Sequence, residues 1–352
     1  MTDIIRRLEK VLGNQRQQIG SQNPLQMIAA AAQREYKPLS APLSVQVEII
    51  DYCRQHCVFC LQGTRNNTVS AKGPVSLVRL SQLAGDLAEL GVAEVVLSGG
   101  EPGCHPELPQ VVSAFKKQKF KVIIETSGAD MPTSFLWALR DLLDPTHDLV
   151  RVSMDAATAQ TYLAVRGVDA FDRLQKVMDF LQSWGIRFMT TTVMLRENRS
   201  EFLQIAKSAY EAGAVACEFG PPFVGEGSTL PGELELEKFL ECCETLQALP
   251  IEIPVHLHML HALMKAGMKT SPHTGQSGFC CAAGFISCAV NVKGLVGFCP
   301  YMNDTGTAIG MWRPGTFASL WKRVAEARVC AEELADNKTR LSWEEICPAA
   351  RR

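Results

Sequence analysis

Between residues 45 and 220, short β-branched runs alternate with helical patterns, and that alternation leaves few folds open. The runs are VQVEII (45–50), AEVVLS (93–98), FKVIIET (120–126), LVRVSM (149–154), RFMTTTVML (187–195) and AVACEFG (214–220). Between them lie SLVRLSQLAGDLAELG, ELPQVVSAFKKQ, AFDRLQKVMDFLQSWG and EFLQIAKSAYEAG, with apolar residues at helical spacing. Three of these patterns stop at a glycine (Gly91, Gly185, Gly213), the residue that takes the left-handed turn closing a helix. Strand–helix units of roughly 30 residues imply a parallel sheet with helices outside it. Six units fall short of an eight-fold barrel. The expected fold is therefore α/β, an open, partial (β/α)6 barrel.

In such folds chemistry gathers at the C-terminal ends of the strands. The unusual residues of this chain fall at those ends. Cys53, Cys57 and Cys60 follow the first strand, GGEP (99–102) the second, TSG (126–128) the third, MDA (154–156) the fourth and GPPFVGEG (220–227) the sixth.

On either side of the alternation the chain changes character. Residues 1–43 read as a helical extension with Ile4, Ile5, Leu8 and Leu12 on one face, interrupted by GSQNP (20–24) and ended by YKPLSAP (36–42). The barrel is expected over 44–250. From 251 to 352 glycine, cysteine and short apolar pieces dominate, as in GFCCAAGFISCAVNVKGLVGFCPYM (278–302), and a small α+β domain is expected there. The basic run KKQKFK (116–121) reads as the solvated end of a helix entering a strand.

Acidic and basic residues nearly balance, 37 against 35, which gives no reason to expect a nucleic-acid partner. The start lacks the apolar core and cleavage site of a signal peptide, and no stretch approaches the ~18 uninterrupted apolar residues of a membrane helix. A cytoplasmic location with no membrane partner follows as the default. Thirteen cysteines are many for a reducing compartment, where disulfides do not persist, so core packing or metal ligation must account for them.

The densest group is DYCRQHCVFC (51–60). Soft thiolates suit zinc or iron–sulfur clusters. Structural zinc takes four ligands, usually from two short knuckles. This loop offers three thiols, with His56 between two of them and no fourth cysteine in reach. A cubane held by three thiolates keeps one iron open, as catalysis requires.

The spacing Cys53-x3-Cys57-x2-Cys60, with Phe59 before the last cysteine, resembles the signature of the radical SAM superfamily. The resemblance covers roughly residues 44–225 and implies that the three cysteines bind a [4Fe–4S] cluster whose open iron chelates S-adenosylmethionine. It further implies that Phe59 packs near the adenine. Ser98-Gly99-Gly100-Glu101-Pro102 matches the family's GGEP segment; its glycines would admit backbone close to the ligand, and Glu101 would pair with the methionine ammonium. Thr126-Ser127-Gly128 is similar to the family's TNG stretch, with serine replacing asparagine, and Ser153-Met154-Asp155 to its S-x-D stretch. Arg166-Gly167 and TTTVMLREN (190–198) have counterparts as well, with Arg196 expected near the SAM carboxylate.

Cys281, Gly294 and Cys299 resemble the opening of the SPASM or twitch auxiliary-cluster domain, a hairpin with two thiolates at its base and Gly294 in its turn. The helical pattern TFASLWKRVAEARV follows, and Cys347 in EEICP would supply a further ligand. The dense later cysteine block of the full SPASM pattern is absent, so one auxiliary [4Fe–4S] cluster is expected. Its fourth ligand stays open among Cys280, Cys288 and Cys330 or a substrate atom, and zinc on four of these thiolates is the alternative. Cys242 and Cys243 read as helix core. Cys217 is a candidate hydrogen-atom donor should it face the barrel interior, against the plainer expectation of a core cysteine. His256, His258 and His261 read as satisfied or solvent-facing histidines.

The family resemblance implies reductive cleavage of SAM, hydrogen abstraction from a substrate and an electron donor such as flavodoxin or ferredoxin. The expected substrate is a ribosomally made peptide, cross-linked, epimerised or oxidised; the alternative is dehydrogenation or epimerisation of an aminocyclitol or sugar. A non-enzymatic protein with structural zinc or iron is the third possibility, and the ordered set of motifs speaks against it.

Overall fold

The six β-branched runs form six parallel strands in a computed structural model of the chain. These are β1 (Ser44–Ile50), β2 (Glu94–Gly99), β3 (Lys121–Thr126), β4 (Leu149–Ser153), β5 (Phe188–Val193) and β6 (Cys217–Gly220). The structure describes residues 37–60, 73–222, 232–258, 283–300 and 308–336, and positions 3, 4, 6, 7, 10 and 11; side chains are described as far as residue 327. A seventh parallel strand, β7 (Val255–Leu257), pairs with β6 at one edge. The described strands form one sheet whose two edges do not meet, an open partial barrel.

The register sorts side chains onto two faces. Val45, Val47, Val95, Leu97, Val122, Ile124, Val150 and Val152 share one face and are buried in a single core with the helices. Gln46, Glu48, Ser98, Glu125, Arg151, Ser153 and Glu218 lie on the other, the inner face of the half-barrel. A sheet covered by helices on one side and concave on the other needs this division.

The helices follow from the same logic. Helix α1 (Leu77–Leu90) starts where the Ser76 side chain accepts from Arg79 N–H and ends at Gly91, φ 84°. It buries Leu80, Leu83, Ala84 and Leu87, the i, i+3, i+4, i+7 positions of one helix face. Each such leucine contributes about 1.5–3 kcal/mol. Helices α2 (Leu108–Lys117), α5 (Phe171–Ser183) and α6 (Phe202–Glu211) fall on the expected patterns. Gly185 and Gly213 also take positive φ, 64° and 80°. Two helices were not expected: α3 (Thr133–Leu142), and α4 (Ala159–Arg166), which buries only Tyr162, Val165 and Arg166. Helix α7 (Leu236–Gln247) packs Phe239, Leu240, Cys243 and Leu246 inward. The N-terminal helical positions dock on it, Arg7 donating to Glu244 at 2.9 and 3.0 Å. Ile5, Leu8, Leu12 and GSQNP lie outside the described residues.

C-terminal to β7, the strands β8 (Ser287–Val290), β9 (Leu295–Gly297) and β10 (Gly310–Met311) continue the same sheet. β8 pairs parallel with β1, and β8–β9 is the expected hairpin, with Gly294 at φ 88° in its turn. Asp86 on α1 fastens this segment by accepting from Trp312 Nε1 (2.8 Å) and Gly315 N–H (2.8 Å). Helix α8 (Phe317–Asp336) packs beside α1, and its Trp321 donates to Leu39 O at 2.8 Å. No helix among the described residues is long and apolar enough to cross a membrane.

The KKQKFK run is exposed at Lys117, Gln118 and Lys119, as expected where a helix ends and a strand begins, while its two outer lysines are paired. Lys116 pairs with buried Asp148 at 2.6 Å and Lys121 with Glu94 at 2.6 Å. Asp148 also accepts from Val122 N–H and Asp144 N–H, both at 2.7 Å, so one carboxylate stitches α2, β3 and the approach to β4. Asp148→Ala would strand a lysine and two backbone donors. It is expected to cost about 3–5 kcal/mol, read as a lowered urea midpoint with an unchanged slope.

Candidate functional site

The loop from Asp51 to Cys60 leaves the end of β1, where Cys53 and Cys57 are buried and Cys60 is half-buried. Its shape is set locally and from two sides. Within it Gln55 N–H donates to Cys53 Sγ at 3.4 Å, and Cys60 N–H to Cys57 O at 3.1 Å. From the end of α4, Arg166 O accepts from His56 N–H (2.9 Å) and Val165 O from Val58 N–H (3.0 Å). Gly167, at φ 70°, caps that helix where a Cβ would run into His56.

The GGEP segment holds the other side. Gly100 N–H donates to Ile50 O at 2.6 Å and Glu101 N–H to Tyr52 O at 2.9 Å. A Cβ on Gly99 would fall on Ile50 O, and one on Gly100 on Tyr52 O. The glycines therefore bring β2 against the root of the cysteine loop; the backbone they approach is the loop's own. Glu101 is buried and accepts from Gly103 N–H (2.8 Å), Thr126 Oγ1 (2.5 Å), Ser127 N–H (2.7 Å) and Ser127 Oγ (2.6 Å). The expected GGEP and TSG residues thus meet, joined by one carboxylate.

The S-x-D stretch divides. Ser153 is half-buried on the inner face at the end of β4. Asp155 is wholly buried, accepts from Val193 N–H at 2.6 Å and forms a close ion pair with Arg166. Arg166 also donates to Gln55 Oε1 (3.1 Å) and Cys57 Sγ (3.5 Å), with its guanidinium carbon 5.4 Å from the Phe59 ring centre. Burial works against charge on both members of the pair, lifting Asp155 and opposing Arg166, yet the contact prevails for Arg166, whose pKa is raised. Burial also pushes the Cys53 and Cys57 thiols up, while Arg166 pulls Cys57 back.

Sequence patterns did not single out Gln55, Tyr162 or Asn198, although Asn198 closes the TTTVMLREN run. Gln55 Nε2 donates to Tyr162 Oη at 3.0 Å. Asn198 donates to Asp155 O and Val193 O, both 2.9 Å, and accepts from Leu195 N–H. Gln55 lies between Arg54 and His56, and Asn198 between Glu197 and Arg199, so nothing in the local pattern sets them apart.

Other candidates lie elsewhere. Arg196 is exposed on the loop after β5, its N–H donating to Gly232 O at 2.7 Å. Cys217 does not face the barrel interior; it shares the helix-facing side with Phe219, which packs on Phe202 of α6 at 5.9 Å. Glu218 occupies the inner position on β6. Cys288 is buried in β8 beside Val45, and Cys299 is half-buried just after β9. Cys280, Cys281, Cys347 and His261 lie outside the described residues, and Cys330 falls on α8 beyond its described side chains. His256 is half-buried, while His258 is exposed and 3.4 Å from Glu218.

Among the described residues no three His, Cys, Asp or Glu side chains converge around a point that would hold a single ion. Thiolates bound to different irons of a cubane stand wider apart than ligands of one ion. The donor set, three thiols on one pinned loop, suits a cluster better than a lone metal.

Comparison with known proteins agrees with this geometry. Residues 47–209 match the radical SAM superfamily model. The chain is 26% identical over 178 residues to the AdoMet-dependent heme synthase of Methanosarcina barkeri, covering 50% of each, so it spans about half the length of that relative. It is 24% identical over 295 residues to the mycofactocin maturase MftC of Mycobacterium tuberculosis, covering 81% of this chain and 71% of that one. The crystal structure of Streptococcus suis SuiB bound to S-adenosylmethionine shares the fold, with TM-score 0.65 and 16% identity over 78% of this chain and 64% of that one.

The turn after GGEP carries a pH-sensitive contact. His105 is buried, with Nε2 2.9 Å from Val75 O and Nδ1 accepting from Glu107 N–H at 3.1 Å. Burial lowers its pKa from 6.5, so the unfolded chain takes the proton first. Stability is therefore expected to fall as pH drops from about 8 to about 5. His105→Gln should flatten that dependence in urea titrations run across the same range.

Proposed function

We propose, from the premise that residues 47–209 form a radical SAM superfamily domain, that the chain is a radical SAM enzyme acting on a ribosomally made peptide. Domains of that superfamily bind a [4Fe–4S] cluster and S-adenosylmethionine. The observation that carries the reading is the cysteine loop, pinned on one side by the GGEP backbone and on the other by the end of α4. Cys53, Cys57 and Cys60 would hold the cluster. When bound, cluster and S-adenosylmethionine supply a 5′-deoxyadenosyl radical able to take hydrogen from an unactivated C–H bond.

The protein's own residues do the rest. Glu101, Thr126 and Ser127 lock the ends of β2 and β3 beneath the loop. Ser153 offers a hydroxyl on the inner face for the bound cofactor. On the same face Gln46 donates to Glu125 at 3.3 Å and Arg151 to Glu125 at 2.5 Å, giving a substrate a polar wall on which to orient. In the C-terminal segment Cys281, Cys299 and Cys347 would ligate one auxiliary cluster, consistent with the β8–β9 hairpin that presents Cys299. Electrons would come from a flavodoxin- or ferredoxin-like donor.

The peptide substrate is supported by the match to a protein named a maturase, which extends over 81% of this chain. A second reading, dehydrogenation or epimerisation of an aminocyclitol or sugar, is favoured by the charged inner face, with Glu125, Arg151 and Glu218 in place of apolar side chains.

Protein reconstituted anaerobically with iron and sulfide is expected to bind about eight irons per chain and to release 5′-deoxyadenosine from S-adenosylmethionine and dithionite. Cys57→Ala should lose about four of those irons and all 5′-deoxyadenosine formation. A variant that keeps parental iron and turnover would sink the reading; two zincs and no visible absorbance in the parent would replace it with a structural metal protein.

A further inference from the structure

The end of α4 reaches the cysteine loop twice, once through backbone and once through a side chain. Arg166 O accepts from His56 N–H at 2.9 Å, and its guanidinium lies 3.5 Å from Cys57 Sγ. The residue is 7% exposed. Its guanidinium is held on three sides: NH2 by Asp155, NH1 by Gln55 Oε1 at 3.1 Å, and its face by the Phe59 ring at 5.4 Å. Each holder is itself held. Asp155 accepts from Val193 N–H and its carbonyl from Asn198, while Gln55 donates to Tyr162 Oη. A cation so braced cannot swing toward solvent.

Its direction matters. The family resemblance implies that Arg166 belongs with the residues around S-adenosylmethionine. In the structure NH1 and NH2 are spent on the loop and Asp155, leaving Nε buried without a hydrogen-bond partner among the described residues. The charge therefore sits behind a thiol.

We propose that Arg166 is a positioning residue that donates N–H to the Cys57 thiolate and raises the reduction potential of the cluster held there. The proposal rests on the reading that Cys53, Cys57 and Cys60 are the ligands. Reduction adds one electron from the external donor to the cluster, and no proton leaves Arg166. A fixed N–H dipole in a buried site favours that added negative charge more than an exposed, mobile one would. Hydrogen bonds to ligand sulfur act in the same direction and are among the groups that set cluster potentials. Asp155 neutralises the pair's net charge, so the N–H dipole aimed at sulfur and its fixed orientation supply the effect.

The test compares the parent with Arg166→Lys and Arg166→Met, each reconstituted anaerobically, assayed for iron and sulfide, and titrated potentiometrically by electron paramagnetic resonance. Lysine can still pair with Asp155 but lacks the planar fork that reaches Asp155 and Cys57 together. The ratio of reduced to oxidised cluster at a fixed poise should fall about tenfold in Arg166→Met, a shift of about 59 mV to more negative potential for a one-electron couple. Arg166→Lys should fall between that variant and the parent, and it decides the matter if Arg166→Met does not fold. Loaded variants that share the parental midpoint overturn this inference alone and leave Arg166 a structural residue. A parent that takes up no iron overturns the functional reading, and this inference with it.

Discussion

The contact between the ends of β1 and β2 is the one on which the site depends. Gly100 and Glu101 give their N–H groups to Ile50 and Tyr52, and no side chain fits between the two backbones. That closeness fixes where the cysteine loop leaves the sheet. It also places Glu101 where it can gather Thr126 and Ser127 from β3, so three strand ends are tied before any ligand is considered. A glycine pair is usually credited to ligand approach. Here its demonstrable work is on protein backbone, and the site inherits its geometry from that.

Much of the fold was legible because the signals were repeated and local. β-Branched runs such as VQVEII and AEVVLS declare strands from adjacent residues alone, and glycines such as Gly91 mark helix ends through φ alone. Helix α4 escaped notice because its AQTYLAVR sequence has a narrow apolar face and buries an arginine. The β8–β1 pairing escaped for a different reason. Strand pairing between residues more than 240 apart leaves no trace in either segment taken singly.

The candidate site divides in the same way. Three closely spaced thiols point to a soft metal or cluster by residue type and interval, with no need of tertiary contacts. The partners of Arg166 and Asp155 are another matter: Gln55, Tyr162 and Asn198 acquire meaning only when α4 and the β5 loop fold over the cysteines. Cys217 shows the limit of a parity argument made without a register. One position along β6 separates the helix-packed face from the concave one, and the cysteine occupies the former.

The placement of β8 beside β1 has a consequence for synthesis as well as for shape. β1 leaves the ribosome more than 240 residues before β8, so one of its edges stays without its partner strand until β8 has been made. An uncovered central strand rich in valine and isoleucine is a template for unwanted pairing with other nascent chains. The order of translation therefore sets a window of vulnerability, and the segment that carries β8 acts as the cover that closes it.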